Sequence, residues 1–149
     1  MSIDFRKNAK VLTAVHKFAK PKERTHSNPY VVDGYELHAR PELADRLKNL
    51  MACSTPGARL EFAFGIPMLC TSTGRVFATA GGTHSLSLFL PEEENWGEPN
   101  PEYGEPWRQG YAWTKGRPHT PDDEEQLISL LRRAYASATK MDGPAQSSG

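Results

Sequence analysis

RLEFAFGIPMLCTSTGRVFATAGGTHSLSLFL, residues 59–90, is the stretch on which the fold turns. It divides into four short runs of β-type composition, Arg59 to Phe64, Pro67 to Thr71, Arg75 to Ala80 and His84 to Leu90, with turn residues between them. Leu60, Phe62 and Phe64 alternate with Glu61 and Ala63, and Leu86, Leu88 and Leu90 alternate with Ser85 and Ser87. Because successive side chains in a strand point to opposite faces, this alternation predicts a sheet with one buried and one solvated face. Gly74 and the Gly81-Gly82 pair supply turns of hairpin length. No connection is long enough for a helical crossover, so neighbouring strands are expected to be antiparallel.

Upstream of this stretch, Pro41 suits a first helical turn and Glu42 the positive end of a helix dipole, and Leu43, Leu47, Leu50 and Met51 share one face. That helix closes at Ser54 to Gly57. Tyr30 to His38, with Asp33-Gly34 inside it, predicts at most a small hairpin. A first helix is expected from Asp4 to Lys20, with Val11, Leu12, Val15, Phe18 and Ala19 on one stripe, followed by a polar linker. It is either packed on the domain or a mobile arm. Downstream, Pro91 to Trp107 holds four prolines and six glutamates and breaks all periodicity, which predicts a long, exposed, mobile acidic loop. Gly110 to Lys115 then reads as a last strand, with Tyr111 and Trp113 on one face. Thr120-Pro121-Asp122-Asp123 is a helix start, and Leu127, Leu130, Leu131, Ala134, Tyr135 and Ala138 form the apolar stripe behind it. The expected class is α+β: a four- to five-stranded antiparallel meander packed by N- and C-terminal amphipathic helices. Residues 1–29 read as a basic helix and linker, 30–140 as the α+β domain, and 141–149 as a disordered tail.

The chain has 149 residues, 18 basic and 18 acidic, so it lacks the strong positive field of a general nucleic-acid binder. The distribution is uneven: residues 1–60 carry eleven Lys or Arg against six Asp or Glu, and the remainder carries seven against twelve. Such a dipole weakly favours a polar partner or self-association. Two cysteines, Cys53 and Cys70, form neither a CxxC nor a disulfide framework, which fits a reducing compartment. No apolar run approaches the ~20 residues of a bilayer span and no signal-peptide core opens the chain, so a cytoplasmic location is expected.

Within residues 64–90, Gly65-Ile66-Pro67-Met68, Gly74-Arg75-Val76-Phe77-Ala78 and Leu86-Ser87-Leu88, taken with the later helix through Ala134-Tyr135, resemble the pattern of small bacterial α+β proteins. These are the TfoX N-terminal-like, MmcQ/YjbR-like and YdhG-like families. The resemblance covers about half the chain. It implies a compact sheet-and-helix domain tied to competence regulation, DNA-associated roles or, in the YdhG-like branch, frataxin-like iron handling. No catalytic set is shared among these families, so none is carried over.

The strongest hint of binding is aromatic: Trp96, Tyr103, Trp107, Tyr111 and Trp113 fall close together beside Arg108. Rings of this kind supply contact area and cation-π partners, against the plainer reading that Tyr111 and Trp113 are core while Trp96 and Trp107 pin the loop down. Trp96, Trp107, Arg108, Tyr111 and Trp113 are therefore the expected ligand or partner contacts. Arg6, Lys10, Lys17 and Lys20 line the polar side of the first helix and are candidate phosphate contacts, against the plainer reading of a solvated face. His84, His119 and Asp122 form a candidate metal set if folding brings them together, and Glu92, Glu93 and Glu94 add hard oxygen ligands. Cys70 with His84 or His119 imitates a thiol nucleophile and its base, but Cys70 sits in an apolar run where cysteine behaves as a small hydrophobe. No Gly-x-Ser-x-Gly elbow exists, and Gly81-Gly82-Thr83 lacks the lysine of a phosphate loop.

The leading expectation is thus a non-enzymatic binding or regulatory module, requiring no cofactor, whose partner is a protein or a small molecule. Two alternatives stand beside it: an iron- or metal-handling chaperone-like protein, and a nucleic-acid-associated regulator using the first helix.

Overall fold

The computed structural model describes residues 3–17, 19, 31–32, 34–37, 41–81, 85–91, 95–111 and 121–147. Within them the elements run α1 (Ala9–His16), β1 (Val31–Val32), β2 (Tyr35–Glu36), α2 (Pro41–Ser54), β3 (Arg59–Ala63), β4 (Ile66–Cys70), β5 (Val76–Gly81), β6 (Ser85–Phe89), β7 (Glu98–Pro99), β8 (Trp107–Tyr111) and α3 (Pro121–Ser147). The α+β class and the antiparallel meander are present as the alternation of residues 59–90 requires. β3, β4, β5 and β6 are neighbours in chain order, each antiparallel to the next.

The main sheet has six strands, in the order β3-β4-β5-β6-β8-β7, rather than four or five. The extra strand comes from the segment expected to be a loop, and β8 begins at Trp107 instead of Gly110. β1 and β2 form the small separate hairpin around Gly34, whose φ of 82° is the turn geometry that glycine adopts without penalty.

Register decides which residues meet the helices. Leu60, Leu69, Ala78 and Leu88 lie abreast on β3 to β6, under α2 and α3. α2 adds Leu43, Leu47 and Leu50, and α3 adds Leu127, Leu130, Leu131, Ala134 and Ala138, all buried in one cluster with the sheet. Each large aliphatic side chain so buried contributes about 1.5–3 kcal/mol. A register shift at Leu69/Cys70 inserts Phe77 as an extra residue in β5, and its ring meets Tyr135 of α3 edge-on at 5.3 Å.

The second face of the sheet departs from expectation. It is not solvated: Met68 and Cys70 are fully buried, and Thr79 and Ser87 are 3% and 8% exposed. α1 and the turn at Asn100 to Tyr103 cover it, with Val11, Leu12 and Val15 joining the buried cluster from α1. Alternation in β6 therefore marks the face that meets α2 and α3; it does not leave the other face in water.

Both terminal helices differ in extent from the sequence reading. α1 starts at Ala9 instead of Asp4, because Asp4 Oδ1 accepts the backbone N–H groups of Arg6 and Lys7 and folds residues 4–8 into a turn. Asn8 fixes that turn to β5: its Nδ2 donates to the carbonyls of Asp4 and Gly74, and its Oδ1 accepts the Val76 N–H at 2.8 Å. α3 continues through Met141 and Asp142, where composition suggests a tail. Asp142 is held there by Arg75 at 2.9 Å and Lys7 at 3.3 Å, and it accepts from Thr73.

Candidate functional site

Residues 95–107, part of the segment expected as an exposed, mobile loop, are folded around one buried residue, Asn100, 7% exposed. Its Oδ1 accepts the backbone N–H groups of Glu102 and Tyr103, and its Nδ2 donates to Ser87 Oγ at 3.0 Å. Its own N–H donates to Trp107 O and its carbonyl accepts from Gly104. Prolines hide this order from any periodic pattern, since each removes a backbone donor and the structure rests on side-chain bonds instead. Trp107, next to Asn100 in register, packs edge-on against Phe89 at 5.9 Å and Tyr103 at 5.2 Å.

On the other side of the β7–β8 edge, Trp96 lies flat against Gly110; a Cβ on that glycine would come within 2.7 Å of the indole. Gly97, at φ 62°, has its α-carbon so close to the Gln109 carbonyl that no side chain fits. Gly110→Ala is expected to push the indole out and cost about 1–2 kcal/mol, the usual result of overpacking. Urea melts of the variant check the loss, and a red shift in tryptophan emission accompanies it.

Between α1 and the Asn100 turn the sheet borders a cavity of about 240 Å³. Thr79, Ser87 and Gln109 stand abreast on β5, β6 and β8 and line it, with Tyr103 on one wall. The hydroxyls of Tyr103 and Thr79 share a hydrogen bond of 3.1 Å. Burial pushes the Tyr103 phenol above its ordinary pKa, with the Thr79 bond working against that rise, so it stays protonated and able to donate at neutral pH. Lys17 and Glu102 close the rim as an ion pair at 2.9 Å.

The expected contacts are dispersed by this arrangement. Trp96 and Trp107 are buried, 9% and 6% exposed, on opposite sides of the β7–β8 edge. The Arg108 guanidinium donates to the carbonyls of Trp96 and Gly97 and holds the segment down. Among the described residues of this group, Tyr111 alone is exposed, at 64%. Trp113 lies outside the described residues.

No family model, no curated protein and no solved structure matches this chain.

Of the basic residues of the first helix, Lys17 pairs with Glu102, and the Lys10 side chain lies against Gly104. Arg6 is exposed in the turn before α1, and Lys20 lies outside the described residues. His84, His119, Glu92, Glu93 and Glu94 also lie outside them, as does the side chain of Asp122. Among the described residues no group of three His, Cys, Asp or Glu side chains is placed to hold a metal ion, and no helix is long and apolar enough to cross a membrane.

Cys70 is fully buried, and that burial, with Glu61 nearby, raises its thiol pKa to about 11. It is therefore a poor nucleophile at neutral pH. Cys53 is free and exposed. Labelling with a disulfide reagent at neutral pH is expected to consume one thiol rapidly and the second only on unfolding; two fast equivalents would contradict this placement.

Asn100, Thr79, Ser87 and Gln109 are the site residues that pattern reading missed. Asn100 between two prolines carries a legible turn signal, because Asn side chains bond the backbone two or three residues on. The other three look like the solvated half of an alternating sheet.

Proposed function

We propose that this domain is a non-enzymatic binding module whose ligand surface is the face of the sheet opposite α2 and α3, beside the Asn100 turn. The observation behind it is unused hydrogen-bonding capacity in a buried place. Ser87 Oγ accepts from Asn100, and among the described residues no acceptor takes its own hydrogen. Thr79 and Tyr103 share one hydrogen bond between two hydroxyls, so one hydrogen of the pair is also left over. Buried polar groups in native proteins are nearly always satisfied, and a ligand is one way of satisfying these. Two flanking walls and a sheet floor give the concave shape such a ligand needs. Kinship with the TfoX-like, MmcQ/YjbR-like and YdhG-like proteins belongs to the same proposal and rests on residues 64–90 with the helix through Tyr135.

Amide chemical-shift mapping with small organic probes tests this reading. Acetamide and isopropanol are expected to gather at Thr79, Ser85, Ser87, Tyr103 and Gln109. Shifts scattered over the surface, or centred elsewhere, would sink the assignment.

A further inference from the structure

Resting on that binding reading, we infer that the ligand is an uncharged polyhydroxylated molecule, a mono- or oligosaccharide, lying along a trough from Tyr103 to Tyr111. The cavity at Thr79 and Ser87 shares Ser85 and Gln109 with a second hollow of about 590 Å³, which Glu98 and Tyr111 also line. One continuous trough results. Its floor is a row of neutral groups: the hydroxyls of Thr79, Ser85 and Ser87 and the amide of Gln109 each donate and accept. A sugar hydroxyl both donates and accepts and so matches such groups, whereas a carboxylate or phosphate calls for donors and cations.

Geometry and charge narrow the class further. Thr79, Ser87 and Gln109 sit on adjacent strands about 5 Å apart, a repeat that hydroxyls across one pyranose ring match. Tyr111, opposite Ser85 in register, offers an exposed ring at the far end. The apolar C–H face of a sugar stacks on such a ring, while its edge reaches the polar floor. Lys17, the cation on the rim, is paired with Glu102, and among the described residues no Lys or Arg lines either hollow. Glu98 adds a carboxylate acceptor of the kind that takes two sugar hydroxyls.

The test titrates the whole chain with glucose, N-acetylglucosamine, maltose and cellobiose, followed by amide shifts, with inorganic phosphate and spermidine as charged controls. At least one saccharide is expected to shift Thr79, Ser85, Ser87, Gln109 and Tyr111 with a dissociation constant of about 1 mM or tighter. Gln109→Ala and Tyr111→Ala replace exposed side chains, so the fold is kept, and each is expected to weaken binding about 5–10-fold, as the loss of one good contact does. Saccharide shifts that ignore both variants overturn the inference, as does silence with all four sugars or a trough response to phosphate or spermidine alone. If acetamide and isopropanol still gather in the trough while sugars do not, the ligand class falls and the binding surface stands. If nothing gathers there, both fall.

Discussion

Asn100→Ala is expected to lower stability by about 3 kcal/mol, because three partners lose their bond at once. The Ser87 hydroxyl loses its donor, and the Glu102 and Tyr103 N–H groups lose their acceptor. For a chain of this size the loss is a drop in Tm of roughly 6–12 °C. The change also reaches the aromatic residues: the turn sets Tyr103 against Trp107, so tryptophan emission is expected to shift to the red below the melting transition. Asn100→Asp keeps the acceptor for both N–H groups and removes only the donor to Ser87, and it is expected to recover part of the stability. Equal losses in the two variants, measured by calorimetry, would show that the acceptor bonds contribute little.

Asp142→Asn is the second large effect, expected at about 2–3 kcal/mol. The Asp142 side chain is 7% exposed and receives Arg75, Thr73 and Lys7, while the two cations keep partial access to water at 17% and 22%. That access places the cost below the range for breaking a fully buried pair. The hydrogen bonds from Arg75 are the largest influence on Asp142 and hold its carboxyl below the ordinary 3.8, against the opposing effect of burial. A depressed native pKa means that the unfolded chain binds the proton more readily. The stabilisation is therefore complete above the ordinary value and is lost as pH falls through the lower native one. Urea melts from neutral pH into acid are expected to show the wild type converging on Asp142→Asn below pH 3.8. A constant gap across that window would mean that the carboxylate's charge is not what holds α3 to the sheet.

How much of this was legible follows from where each signal resides. Strands β3 to β6 lie within a residue or two of their expected positions, because alternation and glycine turns are local properties. The starts of α2 at Pro41 and α3 at Pro121 were readable for the same reason. α1 is shorter than its apolar stripe suggests because Asp4 and Asn8 compete for the backbone with side-chain bonds, one of them to distant Gly74. β7 was missed and β8 placed too late because their order depends on Asn100 reaching Ser87, a contact that no window of sequence contains. The candidate site was legible in part: Trp96 and Tyr111 both line the hollow beside Gln109, while Trp96 and Trp107 are also buried in packing. Thr79, Ser87 and Gln109 come together only through the pairing of β5, β6 and β8.

The ion pairs that join Lys7 and Arg75 to Asp142 bring residues near both extremities of the chain to one spot. Lys7 and Asp142 thus close residues 7–142 into an almost complete ring, so a Gly/Ser bridge across that contact could join them while a new opening is made in an exposed hairpin tip elsewhere. Circular permutants of this kind keep every strand neighbour intact.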